Sequence, residues 1–492
     1  MADRDMVTRR EVIAGLCALG AAPAWAEAPE RSIRPAPRAP DFYKTAVPSP
    51  ESLIADARLG GKVSFVVADA RTGRVLESHK PLLPQPPAST AKALTALYGL
   101  DTLGADHRYE TRLIATGPLE NGRIDGDLVL AGGGDPTLDT DGLAELAAAL
   151  KDAGLREVGG AFRIWTGALP EVYEIDVEQP DHVGYNPALG GLNLNFNRVH
   201  FEWKRGGGSY TVTMDARSAK YRPRVSMAQM RVVNRKVPIY TYENGGDRDQ
   251  WTVAQAALGD GGARWLPVRR PGLYAGEVFQ SLARSHGIAL GGIERAEAAP
   301  RGTTLASRAS PPLTRIVRDM LKYSTNSTAE IVGMSASHAR DGDVAALPQS
   351  ATIMNAWLQT TVGLRSVSLE DHSGLGDDSR ITARDMVTAM VKNGPDGPLA
   401  DLMKGFDVSE AAPNATVRAK TGTLNFVSAL AGFVTQGGQP PLAFAIFCAD
   451  TDRRDALTVA QRERPEGGRA WARRARSLQR ELIARWSVVH SA

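Results

Sequence analysis

Stretches with the character of one sheet stand at opposite ends of this 492-residue chain. Residues 61–76 read as a hairpin turning at Arg71-Thr72-Gly73, and 427–449 alternates strongly in β fashion, broken by Gly437-Gly438. Helical patterns flank both stretches. Distant strands can share a sheet only if the chain between them folds away, and the middle is different in kind. It carries short β-like segments (111–116, 127–130), alternating runs (199–204, 210–214), glycine turns, and helical patterns at 141–151 and 271–289. Further helical patterns cover 311–334 and 382–393. The fold expected is α/β (α+β): a catalytic domain in two parts, 27–104 and 306–492, interrupted at 105–305 by a β-rich insert of one or two smaller domains. The length suits this, because single cores rarely grow past about 250–300 residues.

Residues 1–26 place Arg9-Arg10 before an apolar run from Val12 to Ala22, and Ala24-Trp25-Ala26 fits a small-x-small cleavage site. This is the pattern of a cleavable export signal, too short for an ordinary membrane span. Thr8-Arg9-Arg10-Glu11-Val12-Ile13 is similar to a twin-arginine signal. Cys17 lies in its apolar core. The mature chain is expected to start near Glu27 with a Pro-rich tether, in the periplasm or otherwise outside the cytoplasm. Contact with a membrane is at most peripheral. Its one candidate is the helix-like end, 464–492, whose Trp471, Leu478, Leu482, Ile483 and Trp486 more plainly suit packing on a sheet.

Composition removes several classes of function. Without the signal, Cys448 has no partner for an intrachain disulfide. The eight histidines are scattered, none in H-E-x-x-H, and His182 and His200 read as ordinary imidazoles rather than metal ligands. Net charge is +3 with no Lys/Arg-dense tract, so nucleic acid is not an expected partner. Gly132-Gly133-Gly134-Asp135-Pro136 lacks the G-K-[ST] of a phosphate loop, and Asp135 reads as a turn residue. Position 371 is Asp, so His372-Ser373-Gly374 is not a nucleophile elbow.

The chemistry lies in three short motifs. Ser89-Thr90-Ala91-Lys92 puts a hydroxyl and an amine one helical turn apart. Serine needs a base beside it, and a lysine kept partly neutral by burial serves. Ser324-Thr325-Asn326 puts an alcohol and an amide on one short turn. Lys420-Thr421-Gly422-Thr423 precedes the strong β run. There Lys420 supplies positive charge, Thr421 and Thr423 supply hydroxyls for a terminal carboxylate, and Gly422 leaves room for substrate backbone. The N–H groups of Ser89 and Thr423 suit an oxyanion. S-x-x-K alone occurs by chance; the ordered set of S-x-x-K, S-x-N and K-T-G carries weight.

These motifs resemble those of penicillin-binding proteins and serine β-lactamases. With Gly126–Leu138, Ser310–Glu330, Asp371-His372-Ser373-Gly374-Leu375 and Arg380-Ile381-Thr382-Ala383, the chain is similar to the D-alanyl-D-alanine carboxypeptidase/endopeptidase family of class C low-molecular-mass penicillin-binding proteins. The likeness spans about 40–480. The 231 residues between Lys92 and Ser324 exceed what a compact β-lactamase holds, and the resemblance implies a penicillin-binding domain split by inserted domains. Thr325 stands where the family often has Asp, and 165–205 matches loosely apart from Tyr185–Asn197. The resemblance implies a serine D-Ala-D-Ala carboxypeptidase, with DD-endopeptidase cleavage as a second outcome of the same chemistry. Ser89, Lys92, Ser324 and Asn326 would be catalytic; Lys420, Thr421, Gly422 and Thr423 would bind substrate. Peptidoglycan stem peptides are the expected partners and β-lactams covalent inhibitors, with no cofactor or metal. Asp371 and Ser373 are expected to shape a loop near the site, and Arg380 is a candidate substrate contact. A β-lactamase or esterase on the same scaffold, and a dead wall-binding protein, are the alternatives.

Overall fold

A computed structural model describes residues 47–490, apart from 409 and 411. The export signal and most of the tether lie outside the described residues. Among those residues no helix is long and apolar enough to cross a membrane.

The two chain ends meet in one sheet. After the entry helix α1 (Pro50–Ala57), strands β1 (Lys62–Asp69) and β2 (Val75–His79) form the expected hairpin. β3 (Ala415–Leu424), β4 (Val427–Gln436) and β5 (Leu442–Ala449) form an antiparallel meander, and β5 pairs with β1 along all of β1. A two-residue strand, Lys404–Gly405, caps the outer edge of β3 but reaches only Arg418 and Ala419. The edge at 420–424 therefore pairs on one side only.

β5 is buried at all eight positions, because helices cover both faces. Ala443, Ala445 and Phe447 face one core, with helices α2 (Ala91–Leu103), α3 (Leu313–Tyr323), α4 (Asn326–Asp341), α5 (Leu347–Trp357) and α6 (Ala383–Asn393). Leu442, Phe444, Ile446 and Cys448 face the other, closed by the terminal helix α7 (Gly468–Val489). Trp471, Ala475, Leu478, Leu482, Ile483 and Trp486 repeat at helical spacing and are fully buried there. The apolar stripe of the terminal helix is thus spent on the sheet.

The middle of the chain folds around a core of its own. A five-stranded sheet runs in the order Ile293–Arg295, Phe162–Trp165, Leu128–Gly132, Glu110–Ala115, Thr303–Ala309, with helices Thr140–Asp152 and Pro271–Ser285. Two three-stranded sheets follow from 198–267. The first and last strands of this middle section, Glu110–Ala115 and Thr303–Ala309, are neighbours. At the neck below them the Ser310 N–H donates to Tyr109 O at 2.8 Å, and the Tyr109 N–H to Ser310 Oγ at 3.0 Å. Chain exit and return are tied at one point, which is how a long insertion leaves the parent sheet intact.

Candidate active site

The turn that carries Ser89 comes first. Ser89 sits in a single 3-10 turn, Ala88–Thr90, which runs into α2. One turn on, Lys92 is wholly buried. Its ammonium donates to Ser89 Oγ at 3.0 Å, Asn326 Oδ1 at 2.7 Å and the Ser373 carbonyl at 2.8 Å, so all three of its donors are used.

Where the sequence pattern suggests continuous helix over 311–334, the structure has two helices broken at Ser324. This residue caps α3 in the left-handed region (φ 59°), and α4 restarts at Asn326. A non-glycine residue there stores strain of order 1 kcal/mol. The apolar periodicity runs through the break and hides it. The turn aims Ser324 Oγ at Lys420 Nζ, 2.9 Å away, while Lys420 also donates to the Thr421 carbonyl at 2.7 Å.

Strand β3 carries the third motif against the Ser89 turn. A side chain at 422 would meet Pro87 O at 2.8 Å, Ala88 Cβ at 3.0 Å and Ser89 N at 3.0 Å. The space assigned from sequence to substrate backbone is therefore filled by the Pro87–Ser89 turn, and glycine is needed for the strand to close on it. Thr423 lines the same cleft as Ser89, Ser324 and Asn326. The Thr421 side chain is exposed outside that lining, and Lys92 and Lys420 lie beneath its surface.

Two groups around Lys92 were not singled out for this role by the sequence. Glu330, one helical turn after Asn326 on α4, is fully buried with Asp371. Glu330 Oε2 accepts the His372 N–H at 2.8 Å, and the Ser373 side chain lies against the same carboxyl. Asp371 accepts the N–H groups of Gly374 (2.5 Å) and Gly376 (2.7 Å). The two carboxylates thereby shape the loop that offers Ser373 O to Lys92. Burial pulls Lys92 down from 10.5 to about 8, against the pull of Asp371 and Glu330. Burial and the Asp371 charge push Glu330 up to about 8. Asp371 is also raised by burial, and burial pulls His372 down to about 3. Lys420 is lowered by burial and by the neighbouring Lys92.

The insert supplies a wall of the cleft. Asn326 Nδ2 donates to the Tyr185 carbonyl at 2.9 Å. The loop carrying Tyr185 is held by the buried Arg269, whose guanidinium donates to the carbonyls of Tyr173, Asn186 and Asp181 at 2.9–3.1 Å. Asp377 meets both Arg454 and Arg462, and Arg462 reaches Glu178 of the insert loop. Glu463 pairs with His182 and Arg264. Arg380 instead donates to the Asp377 and Ser379 carbonyls and lies outside the cleft lining. Asp135 is the turn residue expected, accepting from Thr137 N and Oγ1. The cleft encloses about 1130 Å3. No group of three metal-ligating side chains occurs among the described residues.

A family model described as the D-Ala-D-Ala carboxypeptidase 3 (S13) family matches residues 49–464. A D-alanyl-D-alanine carboxypeptidase of Actinomadura sp. (strain R39) is 27% identical over 85% of this chain and 86% of its own length. The D-alanyl-D-alanine carboxypeptidase DacB of Haemophilus influenzae is 23% identical over 79% of this chain and 85% of its own. The crystal structure of penicillin binding protein 4 (dacB) from Haemophilus influenzae has the same fold, with a TM-score of 0.72 at 21% identity, over 89% of this chain and 99% of that one.

Proposed function

The chain belongs to the D-Ala-D-Ala carboxypeptidase 3 (S13) family, and from that premise we propose that it is a serine peptidase that removes the terminal D-alanine of peptidoglycan stem peptides outside the cytoplasm. The contact that carries this reading is Lys92 Nζ to Ser89 Oγ at 3.0 Å, inside a network that also holds Asn326.

In its neutral form Lys92 takes the Ser89 proton as Oγ attacks the carbonyl of the penultimate D-alanine. A lysine near pH 8 supplies that form at useful abundance, where an exposed one would not. The tetrahedral oxygen is held by the N–H groups of Ser89 and Thr423. Lys420, at 2.9 Å from Ser324, relays a proton through that hydroxyl to the departing amine. Thr423 in the cleft takes the terminal carboxylate, joined by Thr421 from just beyond the lining on the same face of β3, and Gly422 keeps β3 against the Ser89 turn. Water then adds to the acyl carbonyl, its proton restoring Lys420, and the proton held by Lys92 returns to Ser89 Oγ as the acid leaves. When the departing amine belongs to a neighbouring stem, the same steps open a cross-link, giving DD-endopeptidase activity. A β-lactam enters the same way and leaves slowly.

Release of D-alanine from a purified wall pentapeptide tests this reading. The wild type should release it and Ser89→Ala should not. Rapid penicillin turnover without any D-alanine release would instead favour a β-lactamase.

A further inference from the structure

The cleft does not end at the catalytic groups. Beyond Thr423 its lining continues through Leu424, Asn425 and Phe426 to the segment that opens α7. There Arg464, Arg469, Arg473 and Arg476 line it, all exposed. None of the four has a carboxylate within ion-pair distance among the described residues, whereas Arg454 and Arg462, deeper in, are paired. Among the described residues Glu463 is the only carboxylate lining the cleft, and it is taken by His182 and Arg264. Glu466, on the same turn, lies outside the lining. The chain as a whole carries only +3. This wall is therefore a local concentration of unneutralised charge, set where a peptide laid along the open edge of 420–424 would leave the catalytic centre.

We propose that this arginine wall is a second binding site, distal to the catalytic centre, for carboxylates on the part of the wall polymer that is not cut. The inference rests on the peptidase reading above. Guanidinium groups pair with carboxylates in forked geometry, and a low-dielectric cleft wall strengthens the attraction. Exposed pairs contribute singly little, so several arginines along one path give avidity for a polymer and nothing for a small neutral substrate. The site selects polymeric wall over free peptide by KM rather than by chemistry.

The test uses the full chain and the triple variant Arg469→Gln/Arg473→Gln/Arg476→Gln. A control, Arg284→Gln/Arg318→Gln/Arg474→Gln, removes the same charge from exposed positions off the cleft. D-Alanine release is measured on isolated wall sacculi and on a short neutral acyl-D-Ala-D-Ala peptide, from low to high salt. The cleft triple should lose about tenfold in kcat/KM on sacculi at low salt through KM. It should lose the salt dependence and keep the neutral-peptide rate within about twofold. The control should match the wild type. Sacculi with amidated carboxylates should abolish the difference, and sacculi stripped of phosphodiester polymers should preserve it. Equal sacculus kinetics in the cleft triple and wild type would overturn the proposal. So would an equal loss in the control, or a difference that vanishes with the phosphodiesters. Failure of every form on the neutral peptide would instead overturn the peptidase reading.

Discussion

Glu330→Gln should move the pH dependence of acylation toward acid. Lys92 acts as a base only when neutral, and burial holds it near 8 rather than 10.5. The groups facing it are Asp371 and Glu330, which favour its charged form, Lys420, which is repelled by it, and His372, which stays neutral. With Glu330 itself titrating near 8, the first proton lost from the pair on raising pH comes partly from the carboxyl, leaving Lys92 charged. Glutamine removes that competing step and retains an oxygen for the His372 N–H. A full unit charge at about 4–6 Å and an effective dielectric near 20 is worth roughly 3 kcal/mol, or about two pH units. Glu330 is only partly charged near pH 8, so the shift should be a fraction of that full value. The assay is the second-order rate of acylation by penicillin G from pH 5.5 to 10. The wild-type rate should rise with a midpoint near 8. The variant's midpoint should lie lower, with an unchanged alkaline plateau; the gain should fall near and above pH 8, where the wild-type carboxyl is charged, with little change at pH 6.5, where it is already protonated. An unmoved or more alkaline midpoint in a folded variant would refute Glu330 as the group coupled to Lys92.

The other predictions follow from close contacts. Gly422→Ala should lower acylation by at least about 100-fold with little loss of fold, because the added carbon meets the backbone of Pro87 and Ser89 rather than a yielding side chain; acylation rate and a thermal melt read the two effects. Ser324→Gly should melt higher, gaining about 1 kcal/mol from its left-handed backbone, while D-alanine release slows by about 100-fold or more for want of the hydroxyl. Trp486→Ala should cost about 3–5 kcal/mol in urea unfolding, since the ring is fully buried between α7 and the sheet against Phe65 and Phe444.

What the sequence discloses here follows the range over which each feature is encoded. The S-x-x-K contact is set by one helical turn, the hairpin at 62–79 by a β-rich run and its turn at 71–73, and 427–449 by alternation, so all three are readable. Glu330 left a usable signal, four residues after Asn326 and hence on the same helix face, but an acidic residue on a helix is ordinarily solvated. Gly422 was legible as a position needing space, though not as to what fills it, because that is decided by the packing of Pro87–Ser89 across 333 residues. The Tyr185 carbonyl on Asn326 has no sequence signature at all, since any residue supplies a carbonyl. Strand Thr303–Ala309 straddles the change of composition near 305, because alternation looks the same on either side of it.

The central claim is that Ser89 is the acylated residue and that Lys92 activates it. Intact-mass and peptide mass spectrometry after brief exposure to penicillin G tests it most directly. One equivalent should be found on the peptide containing Ser89 in the wild type, none in Ser89→Ala, and labelling slowed by several orders of magnitude in Lys92→Met. Label on any other residue, or undiminished labelling of Ser89→Ala, would contradict it.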